Sequence, residues 1–169
     1  NAIYELSQAL VNIGKYQFPV MLNEVTRAFF TATAKIEKPE MAAAMRAIVA
    51  NPNDAKAAAT ISTDPRYRSM LRTTCVATML SGGHATNALP QTASATINCR
   101  MLPNTNPADV RAAIVKVLAD TGLVVSPAPA PRPTAPSPLL PDVMNSVETI
   151  TKQLFGNIPV IPIMGTGAT

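Results

Sequence analysis

Residues 72–103 read Arg72-Thr-Thr-Cys75-Val-Ala-Thr-Met-Leu80-Ser-Gly-Gly-His84-Ala-Thr-Asn87-Ala-Leu-Pro90-Gln-Thr-Ala-Ser-Ala-Thr-Ile-Asn-Cys99-Arg100-Met-Leu-Pro103. Two alternating runs flank a loop rich in glycine and polar residues. In the second run Ala95, Ile97, Cys99 and Met101 alternate with Ser94, Thr96, Asn98 and Arg100. A period of two with one apolar face predicts a half-buried strand. In the first run Cys75, Ala77 and Met79 fall on one side and Thr74, Val76 and Thr78 on the other. Its sidedness is weaker, but threonine and valine favour strand. The loop between them carries Gly82, Gly83, His84, Thr86, Asn87 and Pro90, and such loops are where scaffolds display function.

Working outward, Ile3, Leu6, Leu10 and Ile13 recur at helical spacing before Gly14 and predict an amphipathic helix. Residues 20–69 are alanine-rich, and Pro39, Pro52 and Pro65 divide them. Helical pieces are expected over 21–35, 39–50 and 53–60, with a turn at Asp64-Pro65 and a short helix to Leu71. The methionines of this segment and Phe29-Phe30 read as packing residues. After the hairpin, Asn106 is a candidate N-cap and Pro107 fits the first helical position. Val110, Ile114, Val117 and Leu118 supply a stripe, Gly122 a stop, and Leu123-Val-Val125 a short strand. Prolines crowd residues 127–141, which read as an extended linker. A further helix over 142–155 presents Val143, Val147, Ile150 and Leu154 on one side. Residues 157–164 are apolar and extended, with prolines that suit an edge or a special position.

The order helix, strand, strand, helix, strand is most of a ferredoxin-like unit. The expected class is therefore α+β: an antiparallel sheet with helices on one face, its first strand missing, plus a helical insertion at about residues 17–70. Residues 1–127 form the main domain in this reading, 128–141 the linker, and 142–169 part of a second domain.

The formal charge is +4. The basic residues are scattered, with Arg66, Arg68 and Arg72 the one cluster, so the excess speaks for solubility more than for nucleic acid. The two runs carry no aromatic residue, which counts against RNA binding of the usual strand-stacking kind. No apolar run is long enough to span a membrane. Neither partner is expected. Cys75 and Cys99 belong to no Cys-x-x-Cys pair, so a structural zinc site is not expected. They are read as two buried thiols in preference to a cross-strand disulfide, whose geometry is demanding.

The motifs Thr73-Thr-Cys75, Gly82-Gly83, Asn87-Ala-Leu-Pro-Gln91, Asn98-Cys-Arg-Met-Leu-Pro103 and Gly165-Thr-Gly-Ala-Thr169 resemble one family of zinc peptidases, in its dimerisation or lid domain. That family includes aminoacylase, glutamate carboxypeptidase, carboxypeptidase S and succinyl-diaminopimelate desuccinylase. The resemblance implies that the missing first strand lies just upstream. Residues 158–163, or a strand of another copy, are expected in its place. It implies that Asn87 reaches the active site of a partner subunit and donates a hydrogen bond to a scissile carbonyl or a carboxylate. It implies that Arg100 binds the carboxylate of a peptide or N-acyl amino acid, with the turn Gly165-Thr166-Gly167 cradling it. A second copy would pair through the strand over residues 73–80, which has no proline and no charge after Arg72.

With one histidine and dispersed acids, no metal centre is expected within the chain. The resemblance puts a zinc pair in a separate catalytic domain, and the chain alone is expected to be inactive. His84 is a possible further site residue, read first as a solvated loop histidine, and catalysis by Ser81 with His84 lacks an orienting third group. The alternative reading is a non-catalytic ferredoxin-like binding or oligomerisation module. Nothing in the residues assigns a compartment.

Overall fold

A computed structural model describes residues 1–119, 122–127 and 134–166. The chain divides into two units, one of residues 1–18 and 73–134, the other of residues 19–72 and 135–169.

The first unit is built on a hairpin. Strand β1, Thr74–Gly82, pairs antiparallel with β2, Ala93–Arg100. Helix α1, Ala2–Lys15, packs across both strands, and helix α6, Pro107–Leu118, packs beside α1. Asn1 caps α1 by accepting the Ile3 N–H, and Asn106 caps α6 by accepting the Ala108 N–H, with Pro107 just inside. Ile13, Phe18, Val110 and Ile114 form the core, against which Cys75, Ile97, Cys99 and Met101 pack. Both helices thus cover one face of the hairpin, as the alternation in β2 requires. The class is α+β, with an α–β–β–α core and two strands in the described sheet.

The two alternating runs do not align residue for residue. Ala77 pairs with Ile97, but Met79 pairs with Thr96, so Thr78 is an extra residue in β1. Such a bulge flips everything beyond it to the other face. Met79 therefore leaves the side of Cys75 and Ala77, correcting the alternation read from sequence. Leu80 and Gly82 turn toward the helices instead, opposite Ala95 and Ala93. Gly82 suits this: an added Cβ would lie 3.1 Å from Ala93 Cβ and 3.2 Å from Ile3 Cγ1.

Cys75 and Cys99 are directly opposite and joined by a disulfide, with Cα atoms 4.1 Å apart. The expectation of two free thiols is corrected: the register puts both sulfurs on the helix-covered face of adjacent strands. A crosslink at a sequence separation of 24 contributes about 3 kcal/mol through loss of unfolded-chain freedom.

Three further expectations change. Leu123–Val125 forms no strand; the Arg111 guanidinium donates to the Val125 carbonyl at 2.9 and 3.2 Å instead. Helix α6 ends before Gly122, at Ala119 in the left-handed region with φ 51°. Residues 158–163 are not in the sheet; they run without strand pairing, and Ile161 packs on the helical core of the second unit.

That core is made by α2 (Glu24–Thr33), α3 (Pro39–Ala50), α4 (Ala55–Ile61) and α5 (Pro65–Leu71). Phe30, Met45, Ile48, Ile61 and Leu71 are fully buried in it, which bears out packing as the role of the phenylalanines and of Met45. Helix starts follow the prolines and the caps. Asn23 and Thr26 make a reciprocal capping box, and Asp54 and Asp64 cap α4 and α5. The arginine cluster is no basic patch, since Arg66 engages Asp64 and Arg72 is buried. Helix α7, Pro141–Phe155, forms as expected, but Val143, Val147, Ile150 and Leu154 remain exposed among the described residues. Before α7, residues 134–140 have no regular structure, and residues 128–133 of the expected linker lie outside the described part.

The Tyr67 hydroxyl donates to the Glu37 carboxylate and ties α5 to the turn before α3. Burial, then this hydrogen bond, pushes the Tyr67 pKa up to about 12. The folded state thus holds the phenolic proton more tightly than the unfolded chain. Its stabilising contribution is full below the ordinary value of 10.0 and is lost as pH rises toward 12. Tyr67→Phe should cost about 1 kcal/mol at neutral pH. It should also flatten the fall in urea midpoint expected of the parent chain above pH 10. Equal alkaline limbs in the two proteins would show that Tyr67 is not the group responsible.

Candidate functional site

The hairpin arm carries most of the side chains singled out from the sequence. Beyond Gly82 the chain turns through Gly83, whose φ of +78° is the left-handed conformation that glycine adopts without steric cost. The Ala88 N–H then donates to the Ala85 carbonyl at 3.5 Å, closing a turn with Thr86 and Asn87 at its apex. Asn87 is exposed, and its amide makes no hydrogen bond among the described residues. It presents two donors and an acceptor at the end of the arm.

His84 shares this loop and is exposed. The loop folds into a shallow cup of about 230 Å³ whose rim includes Ser81, His84, Gln91 and Ser94. No carboxylate lines the cup, so nothing orients the imidazole as a base for Ser81.

Arg100 sits at the other end, opposite Thr74 where the hairpin leaves the core. It is exposed on the polar side of β2, and no carboxylate pairs with it among the described residues. Its guanidinium can offer two parallel N–H bonds to a carboxylate. Thr74, Val76 and Met79 of β1 accompany Ser94, Thr96, Asn98 and Arg100 on this uncovered face. Val76 is 56% and Met79 69% exposed. The bulge brings Met79 here, and the sequence alternation could not signal it.

Asn87 and Arg100 are not neighbours. Strand β2 has eight residues, so about 25 Å separates tip from base at ~3.3 Å per residue. Gly165 and Thr166 belong to the second unit, where Thr166 is buried and Gly165 exposed. Gly167 lies outside the described residues.

The donor set does not fit a zinc pair. Both cysteines are consumed in the disulfide, and no three His, Cys, Asp or Glu side chains converge among the described residues. No helix among them is long and apolar enough to cross a membrane. A family model described as a peptidase dimerisation domain matches residues 1–125, from α1 through the helical segment and hairpin to the chain beyond α6. No curated protein and no solved structure matches the chain.

Because Asn87, His84 and Arg100 are exposed and their side chains make no hydrogen bond or ion pair among the described residues, Asn87→Ala, His84→Ala and Arg100→Ala should each change stability by less than about 0.5 kcal/mol. Gly83→Ala should cost about 1 kcal/mol, since it forces a Cβ into the left-handed region. Denaturant unfolding checks both. A loss above about 1 kcal/mol for Asn87→Ala would mean that the amide holds the loop together instead of awaiting a ligand.

Proposed function

The chain belongs to the peptidase dimerisation domain family, and from that premise we propose that it is the self-associating, substrate-contacting lid of a zinc-dependent peptidase or amidohydrolase. The substrates are peptides or N-acyl amino acids, and the metal donors are supplied from outside this chain. A peptidase dimerisation module implies a second copy as partner. Alone, the chain binds and positions but does not hydrolyse.

The span of the arm carries the assignment of roles. A single amino-acid residue of substrate is far shorter than the ~25 Å between tip and base, so Asn87 and Arg100 of one protomer serve different sites. Arg100, on the rigid strand at the base, binds the substrate carboxylate in its own protomer. Asn87, at the exposed turn, enters the partner's site and donates its amide N–H to the carbonyl oxygen on which charge develops, or to the carboxylate. Such a donor does not titrate, and it is worth most where water is excluded.

The partner strand is β1. Among the described residues it pairs only with β2, and from Thr73 to Leu80 it has neither proline nor charge. The close Cα approach of Cys75 and Cys99, 4.1 Å, marks a non-hydrogen-bonded pair, whose backbone groups point away from the partner strand. Ala77, two residues on and before the bulge, shares that direction and offers its N–H to a second copy.

Two experiments follow. Ala77→Pro removes that outward N–H and should raise the dimer dissociation constant at least about tenfold, read by sedimentation. An unchanged constant would move the interface elsewhere. In the full-length protein, Asn87→Ala and Arg100→Ala should each abolish most activity. Mixing the two under subunit exchange should restore about a quarter, because half the dimers are mixed and each has one intact site. No recovery would place both residues in the same site.

A further inference from the structure

We propose that the Cys75–Cys99 bond is a redox-controlled clamp on the arm, closed by oxidation and opened by a dithiol reductant. The arm has little else to hold its register. Its strands pair only with one another among the described residues, and a two-stranded hairpin, marginal in water by itself, leans on the helices across one face alone. The bulge at Thr78 interrupts the ladder in the middle. Beyond it the helix-facing positions are Leu80, Gly82, Ala93 and Ala95, and none of them is buried. The disulfide lies on the core side of the bulge, adjacent in register to the Thr74–Arg100 pair. It joins the arm to the packed cluster of Ile13, Phe18, Val110 and Ile114. Both cysteines are only half-buried, so a small thiol can reach them.

The opening step is thiol–disulfide exchange. A thiolate of the reductant attacks one Sγ, the sulfur–sulfur bond breaks, and the other cysteine leaves as a thiolate. The second thiol of the reductant displaces the first cysteine from the mixed disulfide. Two electrons and two protons pass to the protein, which ends with two thiols, and the reductant ends as a disulfide. Oxidised glutathione reverses the step and leaves as two thiols. Opened, β1 is free to slip on β2, and slippage by one residue turns Thr74, Val76 and Met79 of β1 from the open face to the helices. The clamp then couples the thiol poise of the compartment to the presentation of the open face of β1 and of its edge. Only the coupling to the edge rests on the pairing of copies proposed above.

The test uses the whole chain, equilibrated with oxidised glutathione or with dithiothreitol. Alkylation and mass measurement should find no free thiol in the first buffer and two in the second. Hydrogen exchange of residues 74–82 and 93–100 should accelerate at least about thirtyfold on reduction, with α2–α5 unchanged. The volume-conserving pair Cys75→Val with Cys99→Ala, which keeps packing and lacks the bond, should exchange like the reduced protein. Free thiols in glutathione disulfide, equal exchange in both buffers, or oxidised-like protection in the Val/Ala variant would each overturn the clamp. The dimer dissociation constant should rise at least about tenfold on reduction. If the oxidised chain is already monomeric, the pairing of copies fails, and the exchange data alone judge the clamp.

Discussion

The pairing register of the β1–β2 hairpin is the constraint from which the rest of the first unit follows. Thr78 puts two residues of β1 against one of β2. From that point Met79 faces outward, while Leu80 and Gly82 face the helices. Gly82 then suits its place, because a Cβ there would press on Ala93 of β2 and on Ile3 at the start of α1. Before the bulge, Cys75 and Ala77 share the helix side with Cys99 and Ile97, and the two sulfurs meet. A slip by one residue would undo each of these placements together, so the bond and the bulge select the same register.

What could be read from the residues divides along physical lines. Strand β2 was legible because the extra residue lies in β1 and one face of β2 is covered, so its alternation maps directly onto burial. Strand β1 was half legible: periodicity reports side-chain direction only while the ladder is regular, and no composition marks a bulge without glycine. Caps and prolines gave the helix starts because their chemistry is local, as at Asn106-Pro107 and Asp64-Pro65. Leu123–Val125 failed as a strand because strand pairing is not local. Three β-prone residues need a partner, and the nearby Arg111 took the Val125 carbonyl instead. The disulfide escapes a reading of the residues for the same reason, since opposition of two cysteines depends on a register that alternation alone does not supply.

The candidate site was legible as residues and not as an arrangement. Asn87 and Arg100 stood out through motifs in the sequence, but only the hairpin shows that they occupy its two ends. Helix α7 teaches the converse. Its stripe of Val143, Val147, Ile150 and Leu154 was plain in the sequence, and the helix forms, yet none of its residues is buried. Amphipathic pattern predicts that a helix has a side to cover and says nothing of what covers it.

Within the proposed lid, the two ends of the arm suit different work. Carrying a guanidinium on an exposed tip into a neighbour's cleft would desolvate a full charge and order a long side chain before any carboxylate offset the cost. An amide has no net charge to desolvate and two torsions to fix, so the tip is better served by Asn87. The cation is better placed on β2 beside the crosslinked pair, where the backbone is already ordered and the substrate comes to it. On this reasoning, exchanging the two residue types would fail even with both positions folded, because each end of the hairpin tolerates only one kind of entropy and solvation loss.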